Sequence, residues 1–293
     1  MTPSKNASRD LVRLALPKGR MQNGVLTLMA EAGLTVAASE RSYRPRLPLD
    51  GWDTKILKPQ NIVEMLHHGS RDIGFAGGDW VAELEVDLVE LLDTGLDPVR
   101  IVAAAPEALL ENGALPKRHL VIASEYERLT KAWIASAGLD ALCVRSYGAT
   151  EVFPPDDADA IVDNTATGST LRDNGLLIVD ELMTSSTRLF ASPLAMEDRD
   201  KRAAIEDLVL LLESVLQARR RVMVELNVTR EALERVIAIL PCMRQPTIAP
   251  LHGDEGYAVK AAVPRGELPR LVVALKERGA TDIVVSKLAQ IVA

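Results

Sequence analysis

The sequence predicts an α/β protein, with two α/β lobes followed by a small βαββαβ domain. Three observations carry that prediction. Short aliphatic runs alternate with amphipathic stretches through Arg219, the pattern of strands joined by crossover helices in mainly parallel sheets. The alternation restarts near residue 100, which calls for a second lobe. Beyond Arg219 the rhythm changes to strand-helix-strand given twice, β-α-β-β-α-β.

Leu11 to Leu16 reads as the first strand, entering the basic loop Pro17-Lys18-Gly19-Arg20 and then a helix from about Asn23 to Ala32 stopped by Gly33. Lys18 and Arg20 are either two solvated surface cations or groups placed where a ligand meets the C-terminal edge of a sheet. Ser39 to Asp53, with Arg41, Arg44 and Arg46, is an irregular basic segment. Thr54 to Leu57 is a strand, Pro59 to His67 a helix with proline near its first position, and Asp72 to Phe75 a strand. Gly77, Gly78 and Asp79 open a helix through Leu84, with Asp79 either an N-cap or part of a ligand loop. Leu88 to Leu92 and Val99 to Ala105 are two further strands.

In the second lobe His119 to Ala123 is a strand, Glu127 to Ala137 a helix and Leu142 to Val144 a strand, while Gly148 to Phe153 opens another helix. Ile161-Val162 and Leu176 to Val179 bracket a polar loop, and Ser186 to Ala191 returns to the first lobe. Asp200 to Arg219 is a long amphipathic helix whose closing arginines suit a helix C-terminus. Then come strand Arg221 to Leu226, helix Thr229 to Ile239, strands Thr247 to Leu251 and Tyr257 to Val263, helix Glu267 to Arg278 and strand Asp282 to Val285. That order is the split βαβ of a ferredoxin-like domain.

Aromatic residues make up only 3% of the chain, so the core has to be aliphatic. The net charge of −7 excludes the broad basic footprint of general nucleic-acid binding, but not a local basic pocket for an anion. Cys143 and Cys242 form neither a disulfide framework nor a metal-like pair, and the first ten residues are polar. A reducing cytoplasm is expected. No apolar run reaches the roughly 18 residues that span a bilayer.

The stretch from Ala158 to Gly175 concentrates the chemistry. Ala160, Ile161 and Val162 end in Asp163, followed by Thr165, Thr167, Gly168, Ser169 and Thr170 and a possible helical turn. Such a loop is either an ordinary capped turn or a phosphate cradle, with free amides and a positive dipole end behind its hydroxyls. No G-x-S-x-G, H-E-x-x-H, P-loop or G-x-G-x-x-G occurs. Cations (Lys18, Arg20, Arg46), acids (Glu151, Asp163) and a hydroxyl loop suit transfer of a phosphorylated sugar, where positioning and leaving-group stabilisation replace a nucleophilic side chain.

L-P-K-G-R (16–20), D-I-G-F-A-G-G-D-W (72–80), G-A-T-E-V (148–152), A-D-A-I-V-D (158–163) and T-G-S-T-L (167–171) occur in the order seen in ATP phosphoribosyltransferases. R-Q-P-T-I-A-P-L (244–251) is similar to the signature of that family's long form, whose third domain binds histidine as a feedback inhibitor. The resemblance runs from about Val12 to about Ser286. It implies lobes like those of type II periplasmic binding proteins, with residues 1–99 and 181–218 in the first, 100–180 in the second and 219–293 in the ferredoxin-like regulatory domain. It implies transfer of the phosphoribosyl group of phosphoribosyl pyrophosphate (PRPP) to N1 of ATP, opening histidine biosynthesis.

By the same resemblance, Thr167, Gly168, Ser169 and Thr170 hold the 5′-phosphate of PRPP, with Thr165, Gly77 and Asp79 also at the substrates. Asp163 and Glu151 address the ribose hydroxyls and Mg²⁺, and Lys18 and Arg20 face the pyrophosphate or the nucleotide. Thr247, Asn227 and Asp282 belong to histidine regulation. A cytoplasmic homo-oligomer of dimers and hexamers is implied, with no nucleic-acid or membrane partner. The chain departs from the family pattern with Pro154-Pro155-Asp156-Asp157 before Asp163 and with Asn164 in place of an aliphatic residue. Two other readings are a non-catalytic two-lobed regulatory subunit of the same pathway and an anion-binding protein without catalysis.

Overall fold

The computed structural model describes residues 11–37 and 43–292; the polar first ten residues, Ser39 and Arg41 lie outside them. The chain divides into two compact units, Met1–Thr27 with Leu34–Glu206, and Leu28–Gly33 with Asp207–Ala293. The order begins β1 (Val12–Pro17), α1 (Arg20–Glu31), β2 (Trp52–Leu57), α2 (Pro59–His67), β3 (Ile73–Gly77), α3 (Gly78–Leu84) and β4 (Val89–Pro106). It continues with β5 (Leu120–Ser124), α4 (Glu127–Ser136), β6 (Ala141–Arg145), β7 (Ala160–Thr165), α5 (Ser169–Asp173), β8 (Leu176–Ala191), α6 (Pro193–Glu197) and α7 (Arg199–Arg219).

These strands form one eight-stranded sheet, ordered β2-β1-β3-β8-β4-β7-β5-β6. Its two ends are parallel, β1 pairing with β2 and β3, and β5 with β6 and β7. In the middle β3–β8, β8–β4 and β4–β7 are antiparallel. The expectation of mainly parallel pairing is therefore corrected to a mixed sheet, because two long strands run in opposite directions between its halves. The sequence pattern breaks each of them into two strands. The cause is visible in β4, where register shifts between Asp93 and Val99 and left-handed Gly95 and Asp97 interrupt the apolar pattern.

From Ile101 to Ala105 both faces of β4 are covered, so that stretch is apolar throughout. Ile101, Ala103 and Ala105 enter one core and Val102 and Ala104 another. At the foot of β3, Asp72 is 2% exposed and takes Arg13 Nη2 at 2.7 Å, Arg13 Nε at 2.9 Å and Lys201 Nζ at 3.0 Å. Burial opposes its charge, but the hydrogen bonds from Arg13 and Lys201 prevail and hold its pKa below the ordinary value.

The second unit contains β9 (Arg221–Val228), α8 (Leu233–Ile237), β10 (Thr247–Pro250), β11 (Tyr257–Pro264), α9 (Leu268–Glu277) and β12 (Ala280–Lys287). Its antiparallel order β10-β11-β9-β12 is the ferredoxin-like arrangement. Val222, Val224, Leu226 and Val228 alternate into its core. The helix expected over Thr229 to Ile239 shrinks to α8 flanked by turns; Ala232 and Val236, one turn apart, are its buried positions. No helix among the described residues is long and apolar enough to cross a membrane.

Candidate functional site

β7 delivers Asp163 and Asn164 to the sheet's edge and then turns sharply. Gly168 makes that turn at φ +75°, a conformation that side chains disfavour. Its amide donates to the buried Thr165 hydroxyl at 2.9 Å, so Thr165 holds the loop together from inside. Thr167, Ser169 and Thr170 are exposed, with the Thr167 and Ser169 hydroxyls 2.9 Å apart. Gly168, the N-cap of α5, offers no side-chain cap, and the Ser169 amide donates to the Thr167 hydroxyl at 3.4 Å.

These hydroxyls line a cavity of about 310 Å³ together with Arg20, Glu151, Asp163 and Asn164. Glu151 sits on a single 3-10 turn, Thr150–Val152, rather than on the expected helix. Pro154 and Pro155 prevent that turn from propagating, and Ala149 before it is left-handed at φ +48°. The fold thus brings Glu151 to the cavity of Asp163 and the hydroxyl loop. Burial, reinforced by Glu125 and Glu151, raises the Asp163 pKa to about 6 despite the hydrogen bond from the Asn164 amide.

A second cavity of about 330 Å³ is lined by Lys18, Arg20, Gln60, Asp79, Trp80, Glu125, Tyr126 and Asn164. Arg20, the first residue of α1, and Asn164 stand in both cavity walls. Lys18 is exposed and donates to the Tyr43 hydroxyl at 3.0 Å. Asp79 is 3% exposed and fully engaged: Oδ1 accepts from Ser185 at 2.6 Å and Oδ2 from Tyr126 at 2.7 Å. Its own amide donates to Ser185 Oγ at 3.0 Å. Asp79 folds back so closely on Gly77 that its carboxylate fills the space a Cβ would occupy there. Tyr126 stacks on Trp80 at 4.7 Å and takes Asn164 Nδ2 at 3.2 Å. Burial, then the adjoining Asp79, pushes its phenol pKa far above the ordinary value.

One further contact fixes this wall. Glu83 of α3 is 6% exposed and accepts from the Arg128 and Leu129 amides at 3.0 Å each, capping α4 from another helix.

The structure places Asn227 and Asp282 together, Nδ2 to Oδ2 at 3.1 Å. Thr247 is separated from them by β11 and lines a different cavity, of about 610 Å³, with Met223, Cys242 and Lys260. Gly77 ends β3 and Gly168 makes the turn before α5; neither lines the two cavities. Sequence reasoning assigned no role to Tyr126, Ser185, Glu125 or Glu83. Tyr126 had one signal, a tyrosine in a chain with four; Asn164 had another, an amide ending an apolar strand.

A family model described as ATP phosphoribosyltransferase matches residues 58–214, and one described as HisG, C-terminal domain, matches 218–290. The chain is 37% identical over 281 residues to the ATP phosphoribosyltransferase of Chlorobium luteolum, covering 94% of this chain and 96% of that one. It is 34% identical to that of Pelotomaculum thermopropionicum, covering 96% and 99%. Among solved structures, a chain of the ATP phosphoribosyl transferase (HisG:HisZ) complex from Thermotoga maritima superimposes with a TM-score of 0.63 at 27% identity, covering 71% of this chain and 99% of that one.

Proposed function

The chain belongs to the ATP phosphoribosyltransferase family, and from that premise we propose how its own residues carry the reaction. It transfers the phosphoribosyl group of PRPP to N1 of ATP with release of pyrophosphate, the first step of histidine biosynthesis. The observation that carries the assignment of roles is the pair of cavities meeting at Arg20 and Asn164.

The first cavity takes PRPP, its 5′-phosphate on Thr167, Gly168, Ser169 and Thr170 and its ribose hydroxyls toward Asp163 and Glu151. The second takes the nucleotide, with Lys18 and Arg20 toward its phosphates or the departing pyrophosphate. N1 of adenine displaces pyrophosphate at C1′ from the opposite face, with inversion. Positive charge gathers on the ribose in the transition state, and the Asp163 carboxylate stabilises it. Arg20, at the junction, receives the negative charge of the leaving group. No covalent intermediate is needed.

Enzymes of this family are generally metal-dependent. No three His, Cys, Asp or Glu side chains among the described residues form a metal cage. Asp163 and Glu151 line one cavity, and their mutual repulsion fits a hard dication shared with substrate phosphates. Those two carboxylates would hold Mg²⁺, which supplies charge neutralisation on the leaving pyrophosphate.

Residues 1–99 with 181–218 and residues 100–180 form the two catalytic lobes, and 219–293 the regulatory domain in which Thr247, Asn227 and Asp282 respond to histidine. The enzyme works in the cytoplasm as dimers that assemble into hexamers. The direct test mixes protein, ATP, PRPP and Mg²⁺ with pyrophosphatase and follows the absorbance of phosphoribosyl-ATP. Product formation is expected; its absence would rule out the catalytic assignment in favour of a regulatory subunit.

A further inference from the structure

The orientation of Asn164 follows from the chemistry of its neighbours. Tyr126 has one hydroxyl hydrogen and donates it to Asp79 Oδ2 at 2.7 Å, so its oxygen can only accept from Asn164. Asp163 Oδ1, 3.1 Å away, is likewise an acceptor when ionised. Facing two acceptors at 3.2 and 3.1 Å, the Asn164 amide must present its nitrogen, which engages both hydrogens. Its carbonyl oxygen has no hydrogen bond among the described residues.

That oxygen belongs to a residue in both cavity walls. Arg20, the other residue of both walls, can only donate. Glu125 is also an acceptor, but it lines only the second cavity. In the reaction proposed above, N1 of the purine must meet C1′ where the two cavities join. The group adjoining N1 on adenine is the 6-amino group, a donor. We propose that Asn164 Oδ1 accepts a hydrogen bond from this 6-amino group and selects 6-aminopurine nucleotides, a role that rests on the functional reading above. A 6-oxo purine sets an oxygen against that oxygen, and a purine with hydrogen at C6 leaves it unpaired. Tyr126 and Asp79 act through Asn164 as positioning residues.

The experiment compares wild type with Asn164→Leu, a change of similar volume, on ATP and on purine riboside 5′-triphosphate, which keeps N1 but lacks the amino group. Removing that group also alters N1 basicity, equally for both proteins, so the quantity read is the change in the ratio of kcat/KM values. The preference for ATP is expected to fall about two- to tenfold in the variant, the worth of one neutral hydrogen bond. An unaltered preference in a folded variant overturns the proposal. Should Asn164→Leu not fold, binding to wild type decides: inosine 5′-triphosphate must bind several-fold more weakly than ATP, and equal affinity overturns the proposal. Wild type that makes no phosphoribosyl-ATP from ATP and PRPP would bring down the functional reading itself, a different result from lost selectivity in an active enzyme.

Discussion

On one side of Arg20 and Asn164, Asp79, Ser185 and Tyr126 are buried, with both carboxylate oxygens and both hydroxyl hydrogens engaged. On the other, Thr167, Ser169 and Thr170 stand in solvent, and the Thr170 hydroxyl has no hydrogen bond among the described residues. The first wall is organised before any ligand arrives, at the cost of desolvating a charge. The second keeps donors in water and exchanges them for a ligand. Mutations in the first should therefore be read mainly in stability, and in the second mainly in affinity.

The largest effect is expected from Asp79→Ala, which strands two buried hydroxyls and should lower unfolding stability by about 3 kcal/mol. A urea midpoint equal to wild type would mean that the buried network is not what holds this wall. Thr170→Ala should leave that midpoint in place yet weaken PRPP binding by roughly 1–3 kcal/mol, the value of a hydrogen bond to a charged group. Equal PRPP affinity by calorimetry would place the 5′-phosphate elsewhere.

Asp163 tests the boundary between the walls by pH. Its pKa is raised to about 6 in the fold, so the native state holds the proton more tightly than the unfolded chain. Its favourable contribution is complete below the unfolded carboxylate value near 4 and disappears as pH rises through about 6. Without metal, wild type should therefore lose about 2 kcal/mol across that window relative to Asp163→Asn, and parallel stability–pH curves would refute the burial argument. The smallest effect, about 1 kcal/mol of stability, is expected for Glu83→Ala, which removes the cap of α4. Thermal melting resolves it, and a larger loss in PRPP binding than in stability would show that Glu83 serves the open wall instead.

The hydroxyl loop was legible in the sequence because its parts are contiguous: Thr165, Gly168 and Thr170 lie within six residues and obey local rules of turn and dipole. The closed wall was not. Asp79, Tyr126, Asn164 and Ser185 come from β3–α3, the α4 start, β7 and β8, and their hydrogen bonds span up to 106 residues. Asp79 as N-cap and as ligand-loop residue are both local readings; the structure sets it inside α3 with no side-chain cap, its carboxylate held by Ser185 and Tyr126 in the wall of the second cavity. Glu151 was placed on a helix by pattern, and proline chemistry reduced that to one turn.

By itself the sequence determined the order of strands and helices, the aliphatic core and the small C-terminal βαββαβ domain, since hydrophobic period and glycine placement act within a few residues. The tertiary structure alone decided that β4 and β8 run uninterrupted through a mixed sheet and that Glu151 reaches Asp163. It also decided that Asn164 turns its amide nitrogen toward Tyr126 and Asp163. The physical reason is range: propensity and pattern are local, whereas burial and hydrogen-bond satisfaction are settled among residues that only the folded chain makes neighbours.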